Sequence, residues 1–60
     1  MDAIKASEYA RALYAAHGGK AEAEAAQKMR ACAEAGKDSE AADWKAVRQA
    51  VRAMRGPNQA

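Results

Sequence analysis

Apolar positions recur every three or four residues in three stretches of this 60-residue chain, and glycines separate the stretches. Ala6, Tyr9, Ala10, Leu13 and Ala16 fall on one face of a helix with 3.6 residues per turn. The stripe predicts a first helix over about residues 2–17, with Asp2 placed to accept hydrogen bonds from its first free N–H groups. Gly18-Gly19 follows and predicts its end, because glycine enters the left-handed region without steric cost. Ala21, Ala25, Met29, Cys32 and Ala33 predict a second helix over about 20–35, stopped by Gly36. Trp44, Val47, Val51 and Met54, with Ala50 alongside, form the strongest stripe and predict a third helix over about 39–55. Asp38 or Ser39 is its expected cap and Gly56-Pro57 its expected stop, with residues 56–60 a frayed tail.

Connections of two to four residues predict that neighbouring helices run antiparallel. The expected fold is therefore all-α: a single domain over 1–60, built as a compact three-helix up-down-up bundle with short turns that contain glycine. Composition narrows this picture. Half of the chain is hydrophobic, but 19 of those residues are alanine and none is phenylalanine. A chain this short and this poor in large side chains excludes a second domain and a roomy enclosed active site. Its helices must gain from alanine's intrinsic propensity and from close approach. Alanine faces are also shallow, so a homodimer that completes the burial stands beside a slim monomer as a reading.

Charge is unevenly placed. Up to Asp43 there are six basic and eight acidic residues; from Trp44 onward there are four basic residues and no acidic one. Lys45, Arg48, Arg52 and Arg55 each lie one residue beyond Trp44, Val47, Val51 and Met54. One residue is about 100° of helix rotation, so the cations form a ridge beside the buried face and project outward. Such a ridge suits phosphates, an acidic protein surface or anionic lipid. The same cations also complement the negative end of the helix dipole, as Asp38, Glu40 and Asp43 complement the positive end. Nucleic-acid binding through a helix-turn-helix is a weaker fit. Glu40 and Asp43 stand near the start of the third helix, where base-reading residues belong and phosphates repel acids.

Tyr14 and His17, beside the Gly18-Gly19 turn, form a second candidate contact patch. Trp44 is expected to anchor the core, the alternative being a hot spot for a partner. His17 and Cys32 are the only soft metal ligands, too few for a structural zinc site, and they lack an orienting third group for nucleophilic catalysis. No catalytic, cofactor-binding or metal-ligating residue is assigned. Cys32 is alone, so no intramolecular disulfide forms. No stretch has the length and hydropathy of a membrane span or a secretory leader, and the expected location is cytoplasmic.

The run from Tyr9 to Gly56 carries Leu13-Tyr14, His17-Gly18, an alanine-rich middle and Trp44 through Arg55-Gly56. It resembles short, uncharacterised all-helical proteins of bacterial genomes. That resemblance implies the helical fold and no activity. The expected role is a small non-catalytic protein–protein interaction module or accessory subunit that meets an acidic partner through Lys45, Arg48, Arg52 and Arg55, with Tyr14 and His17 contributing. A small nucleic-acid-binding regulator and a structural homodimer are the alternatives.

Overall fold

A computed structural model describes residues 2–55. The expected Gly56-Pro57 stop and the tail over 56–60 lie outside the described residues. Three α-helices follow in chain order: α1 (Ala3–His17), α2 (Ala21–Glu34) and α3 (Asp38–Met54). A single 3-10 turn over Gly18–Lys20 joins α1 to α2, and no strand occurs among the described residues.

Local chemistry accounts for most helix ends. The Asp2 carboxylate accepts the Lys5 backbone N–H at 2.8 Å and caps α1. Gly18 ends α1 at φ 60°, ψ −133°, and its N–H donates to the Tyr14 carbonyl. The glycine pair does not open a loop. Gly19 stays in the 3-10 turn, so Ala3 to Glu34 is an unbroken helical run with its backbone diverted at Gly18. At the end of α2, Gly36 adopts φ 78°. Its N–H donates to the Ala33 carbonyl at 3.1 Å, and the Lys37 N–H donates to the Cys32 carbonyl at 2.8 Å. This crossed pair is a Schellman closure, which satisfies carbonyls that the helix end would otherwise leave open.

The expected cap of α3 is corrected. Asp38 is already helical, Lys37 occupies the cap position, and no side chain caps the helix. Lys37 is also the exit residue of the Schellman turn, so α3 starts as soon as that turn closes. Asp38 and Glu40 in the first turn supply by charge part of what a cap would supply by hydrogen bonding.

The core consists of three pairs of small side chains, each pair spaced by four residues. Ala6 and Ala10 come from α1, Ala21 and Ala25 from α2, and Val47 and Val51 from α3. All six are buried, and no polar residue is buried with them among the described residues. A spacing of four puts both members of a pair on one helix face, one turn apart. Methyl-sized side chains let the backbones approach, which is how a chain without phenylalanine excludes water. Leu13, Tyr14, Trp44, Ala46 and Ala50 pack around this centre without being fully covered.

α3 packs closely against both α2 and α1, while α1 and α2 touch each other far less. The molecule measures 34 × 21 × 20 Å. Helices of this length span about 21–26 Å at 1.5 Å per residue. The long axis therefore exceeds any one helix, and α1 with α2 reads as a single bent arm against which α3 lies. The all-helical, compact class stands; close mutual packing of three antiparallel neighbours does not describe the α1–α2 contact.

The edges of the expected stripes are corrected as well. Ala16 and Ala33 are exposed, Met54 is 37% exposed and Tyr9 46%. Trp44 is half-buried rather than enclosed. A centre built from alanine and valine is too thin to wrap an indole, so the ring lies at its border, in contact with the ring of Tyr9. The two ring centroids are 5.3 Å apart and the planes 90° to each other.

Candidate functional site

The four cations expected as one ridge on α3 have different surroundings. Arg55 donates from Nη1 to Glu22 Oε1 at 2.7 Å. Arg48 Nε lies 3.8 Å from Glu22 Oε2. Glu22 sits in the first turn of α2, and its side chain is only 19% exposed. One carboxylate thus lies between two arginines that are seven residues apart, about two turns of α3. It ties the start of α2 to the end of α3. The expectation that all these arginines project into water is corrected for Arg48 and Arg55, which are half-buried; Lys45 and Arg52 are exposed.

Glu22 is the residue that reading the sequence missed. A signal for it exists. The α2–α3 turn pivots at Gly36-Lys37, which folds position 22 opposite position 51, and Arg48 and Arg55 flank that position by three and four residues.

Between α2 and α3, Met29, Lys45, Arg48, Gln49 and Arg52 line a groove of about 290 Å³. Met29 is half-buried and supplies an apolar, adaptable surface. Lys45 and Arg52 supply charge. Arg48 also lines an adjoining groove of about 270 Å³ with Glu22 and Arg55. The Glu22 carboxylate therefore restrains Arg48 at the point where the two grooves meet.

Tyr14 and His17 do not act as a pair of exposed groups. Tyr14 is half-buried and packs against the core, its carbonyl accepting the Gly18 N–H, while His17 is exposed at the last position of α1. Cys32 is half-buried in the last turn of α2. No group of three or more histidine, cysteine, aspartate or glutamate side chains is arranged to hold a metal ion among the described residues. No described helix is long and apolar enough to cross a membrane. No protein-family model, curated protein or solved structure matches this chain.

Proposed function

We propose that this protein is a small non-catalytic interaction module or accessory subunit that captures an acidic segment of a partner protein in the α2–α3 groove. The observation that carries this reading is the groove itself, where Lys45, Arg48 and Arg52 stand around Met29. Complementation of the helix dipole accounts for Arg52, in the last turn of α3, since that effect fades within one turn. It does not account for Lys45, which lies in the middle of the helix. Glu22 attracts Arg48 across 3.8 Å before a partner arrives, which lowers the ordering cost of binding. Carboxylates of a partner would meet Lys45 and Arg52, and an apolar side chain between them would meet Met29. The chain is read as running up, down and up, with α3 as the element common to both packing contacts. A lone thiol at Cys32 suits a reducing, cytoplasmic setting.

Charge reversal tests the reading. Arg48 is the wrong position to reverse, because a glutamate there would face Glu22 and disturb the fold. Lys45→Glu with Arg52→Glu leaves the Glu22 contacts intact. Fluorescence anisotropy of a labelled hexaglutamate peptide is expected to show saturable binding to the native chain and none to the double variant, with helicity unchanged. Equal binding by both proteins would remove the groove as the site. A DNA duplex that binds more tightly than the peptide, with a steep loss on added salt, would shift the reading to nucleic acid. The exposed carboxylates Asp38 and Glu40 at the start of α3 argue against that outcome.

A further inference from the structure

A second cleft lies on the other flank of α3, where that helix meets α1. Tyr9, Glu40, Asp43, Trp44 and Val47 line a space of about 160 Å³. Val47 is buried and forms its floor, while Tyr9 is 46% exposed. The perpendicular contact between Tyr9 and Trp44 covers one face of one ring and leaves both faces of the edge-on ring uncovered by its partner. Aromatic faces carry negative potential and attract cations. The exposed carboxylate of Glu40 adds full negative charge at the same rim.

We infer that this cleft is a binding site for an arginine side chain from a basic segment of a partner protein. Three features select that chemistry. An anion is repelled by Glu40 and by the ring faces. Two carboxylates are too few to hold a metal ion, and no group of three or more histidine, cysteine, aspartate or glutamate side chains is arranged for one among the described residues. A guanidinium is planar and weakly hydrated, so it stacks on a ring while its N–H groups reach a carboxylate. The space is adequate, since a void of about 150 Å³ accepts a benzene ring. The half-burial of Trp44, unexpected for a core anchor, becomes a functional property of its place at the rim. α3 then separates two grooves of opposite sign, the acidic one facing α1 and the basic one facing α2.

Trp44 is the only tryptophan in the chain and reports directly on the cleft. Titration of the native protein with a hexaarginine peptide is expected to give a saturable change in Trp44 emission, weakened by salt. Tyr9→Leu should weaken binding by about two- to fivefold, the size of one exposed cation–π contact. Glu40→Lys should weaken it by about tenfold or more, and Lys45→Glu should leave it intact, which separates this site from the basic groove. Circular dichroism must show unchanged helicity in each variant; Glu40 is exposed and its replacement leaves the core alone. The inference is overturned if hexaarginine produces no saturable change, if Glu40→Lys binds as well as the native chain, or if hexalysine binds as tightly as hexaarginine. An emission change that follows protein concentration without peptide would also overturn it, assigning the cleft to a second copy of the chain.

Discussion

Val51→Ala probes whether six small side chains hold the fold together. The native Val51 side chain is fully buried in the cluster it shares with Val47 and the alanine pairs of α1 and α2. Truncation removes two carbon atoms, and at about 0.8 kcal/mol per buried methylene the lost transfer energy is about 1.6 kcal/mol. The void left behind adds about 1 kcal/mol if its walls do not relax. Alanine returns about 0.5 kcal/mol through its higher helix propensity. The net loss is about 2 kcal/mol, and for a domain of this size that lowers Tm by roughly 8–16 °C. Thermal and urea unfolding followed by circular dichroism measure it. Met54→Ala on the same helix is the internal control. Met54 is 37% exposed and lies at an open edge that leaves no enclosed void, so its truncation should cost about 1 kcal/mol, less than Val51→Ala. If Met54→Ala destabilises as much as Val51→Ala, or if Val51→Ala leaves Tm within about 2 °C of native, the helices are not held by this centre and the reasoning fails.

Two further perturbations test the joints. Gly36→Ala should cost about 1–2 kcal/mol from the positive φ alone, since a Cβ at Gly36 meets nothing within 4 Å; Gly36→Asn should cost less, because asparagine tolerates that region. Chemical denaturation of the two variants gives the difference, and equal costs would point to a cause other than φ. Glu22→Gln removes the charge shared by Arg48 and Arg55, with an expected loss of about 1 kcal/mol, smaller in high salt because both arginines are more than a third exposed. Unfolding of native and variant protein at low and high salt measures it, and a loss that does not shrink with salt would sink the ion-pair account.

Helix positions and ends were legible in the chain because they follow from local rules. Asp2 caps α1 through a contact three residues away. Gly18 and Gly36 turn the backbone where few other residues would. The Val47–Val51 stripe marks the buried face of α3 through its own period. What lay beyond reach was each outcome set by a second helix. Whether Trp44 is enclosed depends on how much volume Ala6, Ala10 and their neighbours supply, and they supply too little. Whether the arginines of α3 face water depends on Glu22, more than 25 residues away in sequence and brought alongside by the Gly36 turn. Whether Gly18-Gly19 makes a loop or a bend depends on where α3 must lie to cover both alanine pairs. Backbone preference acts over three or four residues and is written in the order of side chains. Burial and charge pairing are properties of the space between helices, and only the assembled fold assigns that space.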